Sequence, residues 1–316
     1  MEEKIRCYKI EEQEFPEKLK NFKDCPKQLY VKGKLPNPNK KSVAIIGARM
    51  CSYYGRTQAY EFAKELSSCG VQIISGMARG IDGWAHKGAI DGGGETFAVL
   101  GCGVDICYPS QNINLYREIP KTGGILSEYE EGDKPLGWHF PLRNRIISGL
   151  ADVVLVIEAK KKSGSLITVE YALEQGKSVY ALPGRVGEAL SEGCNNLIFQ
   201  GAQIAKSVEI ILEELEISDK MAKENKKKTE IRLASKEEMV YSCVDLKPKH
   251  LDEIMKVTHL ELAQIQEILV RLELMGLVTE PIKNYYARAV GGLHGKVFSD
   301  CGITGKSKDN KKIPGF

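Results

Sequence analysis

Six short apolar runs, separated by stretches of helical periodicity, leave this chain very few architectures. The runs are Ser42–Gly47, Val71–Gly76, Thr96–Gly101, Gly124–Glu128, Val153–Glu158 and Ser178–Leu182. Each is strand-length and apolar almost throughout instead of alternating, as strands buried on both faces of a parallel sheet are. Between them, Ala59, Phe62, Ala63 and Leu66 share one face of a helical segment from Gly55 to Cys69, which Gly70 stops. A second helix opens at Gly80-Ile81-Asp82 and runs past Ala85 and Ala89 to the break at Gly92-Gly93-Gly94. A shorter one spans Asn112–Ile119, and another runs from Ser165 to Gln175 before Gly176. Strand and helix alternating in this way imply right-handed crossovers. The expected fold is α/β, an extended Rossmann-like parallel sheet with helices on both faces.

The remaining segments set the domain boundaries. Residues 1–40, punctuated by Pro16, Pro26, Pro36 and Pro38, read as a lead-in with a short helix and an edge strand at Gln28–Val31. The Rossmann-like domain takes 41–215, and a lysine-rich linker follows over 216–235. Residues 236–290 carry two helices, Pro248–Lys256 and Leu260–Met275, then a hairpin around Pro281–Asn284, which is a winged-helix layout. The Gly- and Lys-rich tail, 291–316, is expected to be disordered. No run of eighteen apolar residues and no signal-peptide pattern is present, so a cytoplasmic protein off the membrane is expected. Nine scattered cysteines, without a Cys-x-x-Cys pair or zinc-spaced histidines, read as reduced thiols and give no metal site.

In an open parallel sheet, ligands bind at the carboxyl ends of the strands. Gly47-Ala48-Arg49, Ser75 to Gly80 with Gly76 and Arg79, Gly101-Cys102-Gly103, and Lys160 to Ser165 all fall there. Glycine lets a backbone approach a ligand, and helix starts offer free N–H donors. Arg143-Asn144-Arg145 adds two guanidinium groups to the same rim; Asn144 is placed as the cap of a short helix, with both arginines at its positive end. That placement is wasteful unless an anion binds, and phosphate matches the Arg donor fork. The competing explanation is an internal carboxylate bridge, with Glu128 or Glu158 as partner. Ser163-Gly164-Ser165 reads equally as a phosphate cradle or as ordinary helix capping. Tyr108, Tyr129, Trp138 and Phe140 cluster near the arginines, where they stack on bases or pack the loops. The Gly-x-Gly-x-x-Gly fingerprint of a dinucleotide enzyme is missing after the first strand, so no cofactor is expected. Asp82 and His86, four apart, suit a structural hydrogen bond better than a metal. Gly305-Lys306-Ser307 imitates a P-loop end, but Asp300 stands where its first glycine belongs. The net charge of +3 decides nothing by itself. Between Lys236 and Arg288, however, seven basic residues face nine acidic ones, the wrong sign for a winged helix that reads DNA.

Taken as a string, these motifs resemble the DprA/Smf family, DNA-processing proteins of natural transformation. The resemblance rests on Gly47-Ala48-Arg49, Ser75-Gly76 with Arg79 to Asp82 and His86, Gly101 to Asp105 with Tyr108-Pro109, and Ser127-Glu128-Tyr129. Phe140-Pro141 with Arg143-Asn144-Arg145, Ser163 to Thr168, Pro183-Gly184, and Gly193-Cys194-Asn195 through Gly201-Ala202 complete it. It implies a Rossmann domain that binds single-stranded DNA without sequence preference, protects it and helps load the RecA recombinase. It further implies a non-enzymatic homodimer, joined through the C-terminal part of the Rossmann domain, with no required cofactor. Arg49, Arg143 and Arg145 are then the expected phosphate contacts. Ala48 departs from the family's usual Ser or Thr and removes one hydroxyl donor.

Two other functions are compatible with the residues. A nucleotide-acting enzyme of the phosphoribohydrolase kind is echoed faintly by Gly164, Thr168 and Glu170, with wrong spacing and too few glycines. A pure interaction scaffold with a vestigial site is the other.

Overall fold

The alternation becomes one nine-stranded sheet in the computed structural model, which describes residues 4–217 and 235–289. The lysine-rich stretch 218–234, the tail from 290 with its Gly305-Lys306-Ser307, and the expected disorder there lie outside the described residues. Contacts divide the chain into a larger unit, which takes in Leu246–Pro248, and a smaller unit of Ser235–Asp245 and the residues from Lys249 onward.

The strands of the larger unit are β1 (Ile5–Lys9), β2 (Gln28–Gly33), β3 (Ser42–Ile46), β4 (Gln72–Ser75), β5 (Thr96–Val99), β6 (Gly124–Ser127), β7 (Val153–Val156), β8 (Ser178–Ala181) and β9 (Gln203–Ile204). Their order in space is β1-β2-β6-β5-β4-β3-β7-β8-β9. From β6 to β9 all neighbours are parallel, while β2 and β1 add antiparallel pairs at the β6 side. Two strands differ from expectation. Gln28–Gly33 is interior, because Ile5–Lys9 covers it as the true edge. The parallel strand β9 is only two residues long, and both are exposed, so it carries no apolar signature.

Helices α1 (Glu17–Lys20), α2 (Tyr53–Ser68), α3 (Ile81–Asp91), α4 (Ile113–Thr122), α5 (His139–Leu150), α6 (Gly164–Glu174), α7 (Glu192–Phe199) and α8 (Val208–Glu214) cover the sheet. The alternation within β3 shows how. Ala44 and Ile46 face a core with Ile146, Ile147 and Leu150 of α5 and Val169 and Ala172 of α6. Val43 and Ile45 face the opposite core, with Phe62, Ala63 and Leu66 of α2 and Ile81 and Ala85 of α3. Each buried Val, Leu, Ile or Phe among them contributes on the order of 2 kcal/mol, and each Ala less.

Helix α5 corrects one expectation. It begins at His139, so Asn144 lies in its middle instead of at its cap. Pro141 sits in the first turn, where no i−4 carbonyl awaits an N–H.

The smaller unit contains α9 (Ser235–Cys243), β10 (Lys249–His250), α10 (Leu251–Thr258), α11 (Leu262–Leu274), β11 (Val278–Ile282) and β12 (Tyr285–Arg288). It is a winged helix with a three-stranded sheet ordered β10-β12-β11. Helix α10 starts later than Pro248, because Lys249 and His250 pair with Tyr286 and Tyr285 of β12. Ile254, Ile265, Leu269, Leu272, Val278 and Ala287 are buried in this unit.

Candidate functional site

The sheet has one switch point. From β3 the chain winds outward through β4, β5 and β6, and from β7 it winds the other way through β8 and β9. The carboxyl ends of β3 and β7 therefore part to leave a crevice, where ligands of open α/β sheets bind. A cleft of about 420 Å³ lies there, bounded by the β3–α2 loop, α5 and the β7–α6 loop.

Gly47, Arg49, Phe140, Arg143, Asn144, Ser163, Gly164 and Ser165 line it, all expected from sequence. Arg49 is exposed and lies 5.6 Å from the Phe140 ring centroid, a cation held over an aromatic face. Ser163 caps α6, its Oγ accepting from the Ser165 amide at 3.4 Å and lying 2.8 Å from the Ser165 hydroxyl. A Cβ built on Gly164 would meet open space, so the start of α6 is both capped and approachable. Asn144 Nδ2 donates to the Gly164 carbonyl at 3.3 Å, tying α5 to that turn. Lys160 and Lys162 also line the cleft, and both are exposed. They fell inside the Lys160–Ser165 loop but were not singled out; the run of lysines directly after a strand was their signal.

The two arginines of α5 behave differently from expectation. Residues two apart on a helix point away from each other. Arg145 leaves the cleft and makes a bidentate pair with Glu128, both N–O distances 2.7 Å, while its Nε donates to the Asp24 carbonyl. The carboxylate bridge forms there, and Arg145 is not among the residues that line the cleft. Arg143 lines the cleft floor but is only 4% exposed. Its Nη1 donates to the carbonyls of Gly76, at 2.9 Å, and Val99, bracing the ends of β4 and β5. Burial pulls its pKa down to about 10, while the nearby Asp82 carboxylate pulls the other way.

Asp82 accepts from the amides of Gly76 and Ala78 at 3.1 and 3.4 Å. It does not bond His86. Instead His86 Nδ1 meets Thr96 Oγ1 at 2.7 Å. This arrangement requires a glycine at position 76: a Cβ there would stand 2.8 Å from Asp82 Oδ2 and 2.9 Å from Arg143 Nη2. Gly101 passes beneath Phe140, whose ring would be 3.0 Å from a Cβ, and Gly103 packs against Asp105 and the Glu130 carbonyl. Arg79 is exposed in the β4–α3 loop, outside the cleft lining. Among the aromatic residues, Tyr108 stacks on Phe140 at 5.3 Å and Tyr129 on His139 at 3.8 Å; Trp138 is 60% exposed. Among the described residues, no cluster of three or more His, Cys, Asp or Glu could hold a metal ion. No described helix is long and apolar enough to cross a membrane.

Comparison with known proteins adds a second line. The family described as DNA recombination-mediator protein A matches residues 6–216, and the DprA winged helix domain matches residues 224–280. DNA processing protein DprA of Streptococcus pneumoniae is 42% identical over 214 residues, 68% of this chain and 76% of that protein. Protein Smf of Escherichia coli is 44% identical over 203 residues; the match takes in 64% of this chain and only 54% of that protein. The crystal structure of the S. pneumoniae protein aligns with TM-score 0.63 at 41% identity, covering 67% of this chain and 75% of that one. A structure of DNA processing protein A from Helicobacter pylori, described as giving insight into its single-stranded DNA binding mode, aligns with TM-score 0.60 at 32% identity. That alignment covers 68% of this chain and 98% of the H. pylori chain.

Proposed function

The chain belongs to the DNA recombination-mediator protein A family, and on that premise we propose that it is a DNA-processing protein whose switch-point cleft holds single-stranded DNA. It holds the strand by its phosphates, without sequence preference, protects it, and passes it to the RecA recombinase. The observation that carries this reading is the cleft lining: Arg49, Lys160 and Lys162 exposed beside the open start of α6. Three exposed cations and a helix start suit a chain of phosphates better than one small ligand. Phe140, partly covered by Tyr108, offers a ring for base stacking. The H. pylori relative, described by its single-stranded DNA binding mode, aligns along 98% of its length with 68% of this chain.

The protein acts by binding and not by bond cleavage. Asp82, which lines the cleft, is engaged by two amides, and Glu158, just beyond β7, is engaged by Ser52, so neither is presented as a general base. It works as a cytoplasmic homodimer joined near the β9 edge, where Phe199 and Ile204 are 92% and 48% exposed.

The test is titration of single- and double-stranded oligonucleotides over a range of salt. Tighter binding of the single strand is expected, with log K falling by about 0.7 per neutralised phosphate for each tenfold rise in salt. Equal affinity for both forms, or no salt dependence, overturns the reading.

A further inference from the structure

The crevice between β3 and β7 has two helix starts on its rim, and they are not in the same condition. The start of α6 is open at Gly164. The start of α2, the helix that follows the first parallel strand, is already filled. Glu158, two residues beyond β7 and 5% exposed, lays its carboxylate across it. The Ser52 amide donates to Glu158 Oε2 at 2.9 Å and the Ser52 hydroxyl to Oε1 at 2.5 Å. Ser52 Oγ in turn accepts from the Gly55 amide at 3.0 Å. A Cβ built on Gly55 would collide with the Glu158 carboxylate, which shows how directly that carboxylate sits on the first turn. In dinucleotide-binding sheets this is the place where the diphosphate lies, on the start of the helix after the first strand.

We propose that Glu158 is a specificity-determining residue: its carboxylate occupies the phosphate seat at the start of α2. It thereby excludes nucleoside and dinucleotide diphosphates and leaves Arg49 and the α6 start to a phosphodiester chain. The proposal rests on the reading that this cleft takes phosphates. The missing glycine fingerprint now has a physical counterpart, since a protein carboxylate stands where glycines would admit a diphosphate. The Ser52 amide and hydroxyl are the donors that hold this carboxylate, and burial pushes its pKa up against their opposing pull. A second anion placed on the same turn would meet like charge at contact distance.

The experiment is calorimetric titration of the full chain with inorganic pyrophosphate and, separately, with oligothymidylate. The wild type is expected to bind the oligonucleotide and to ignore pyrophosphate. Glu158→Ala is expected to gain about tenfold or more in pyrophosphate affinity, and Glu158→Gln a smaller gain. Glu158→Gln keeps the side chain's volume and an acceptor for the Ser52 amide, so it decides the matter if the alanine variant fails to fold. Folded variants with pyrophosphate affinity equal to the wild type would reduce Glu158 to a structural cap and overturn the proposal. So would a wild type that binds pyrophosphate as tightly as the variants. Failure of the DNA reading itself would show elsewhere, as absent oligonucleotide binding by the wild type.

Discussion

Arg143 and Arg145 have the same side chain, two positions apart, and opposite fates. Two residues turn a helix by about 200°, so only one of them can reach the cleft. Sequence shows that cations gather at the strand ends, and Gly47, Arg49 and Ser163–Ser165 are legible because each follows an apolar run directly. It does not show that Arg143 braces the carbonyls of Gly76 and Val99, which lie 67 and 44 residues earlier in the chain. Arg145→Ala is expected to lower stability by roughly 1–3 kcal/mol, because it strands a half-buried Glu128. It should leave the salt slope of oligonucleotide binding unchanged. Arg49→Ala should do the reverse, making the slope shallower by about 0.7 while shifting stability by no more than about 0.5 kcal/mol. Urea melts and salt-titrated fluorescence anisotropy separate the two, and exchanged outcomes would reverse the assignments. His86 gives a pH prediction. Its Nδ1–H donates to Thr96 Oγ1, whose own proton goes to the Ile73 carbonyl, and Nε2 has no partner among the described residues. Burial, reinforced by Arg143, lowers its pKa from 6.5 to about 3. Below pH 6.5 the unfolded chain takes a proton that the folded chain refuses, so stability present above that pH is lost as pH falls towards 3. By pH 5 the loss is about 2 kcal/mol. Urea midpoints between pH 7 and 5 should fall less steeply in His86→Gln; an identical fall would show that other groups carry the dependence.

Helices α2 and α3 lie side by side on one face of the sheet, and at Gly88 the backbone of one meets the backbone of the other. A Cβ on Gly88 would clash with the Tyr60 carbonyl oxygen and stand 2.9 Å from its carbon and 3.0 Å from its Cα. Two effects oppose each other in Gly88→Ala. Alanine favours a helix over glycine by about 1 kcal/mol. Overpacking against a backbone that cannot swing aside costs roughly 1–3 kcal/mol. The clash should win, giving a lower melting temperature by calorimetry; a higher one would mean that the two helices separate freely. This contact illustrates which elements the sequence discloses. Long periodic segments such as α2, α3 and α6 were legible within a few residues, since their apolar faces and glycine stops are local signals. Strand β9 was not, because parallel pairing of Tyr180 with Gln203 and Ala181 with Ile204 depends on the neighbour and not on its own two exposed residues. Strand β1 was missed for a similar reason: its pattern of exposed and half-buried residues makes sense only against β2. The start of α5 was misplaced because Asn144 reads as a cap from its residue type alone, whereas the helix begins at His139 and tolerates Pro141 in its first turn.

Charge distributes unevenly between the two units, and this decides what each can contribute to holding a polyanion. The cleft of the larger unit presents Arg49, Lys160 and Lys162. The smaller unit has the winged-helix layout that commonly lies in a DNA groove, yet between Lys236 and Arg288 acidic residues outnumber basic ones nine to seven. On the exposed face of α11, the helix that would enter such a groove, Leu262, Val270 and Leu274 are apolar and exposed. Arg271, on the same helix, is taken up by Glu267 at 2.7 Å and Glu237 at 3.6 Å. With acidic residues in excess, this unit adds little to non-specific affinity. A chain ending at Ala234 is therefore expected to bind oligothymidylate within about threefold of the full chain, with the same salt slope. Anisotropy titrations at two salt concentrations check both. A loss beyond about tenfold, with a shallower slope, would mean that residues after Ala234 contribute phosphate contacts of their own. An unchanged slope with that same loss would instead point to the smaller unit acting through the fold or assembly of the larger one, since a slope counts only the charges that touch the strand.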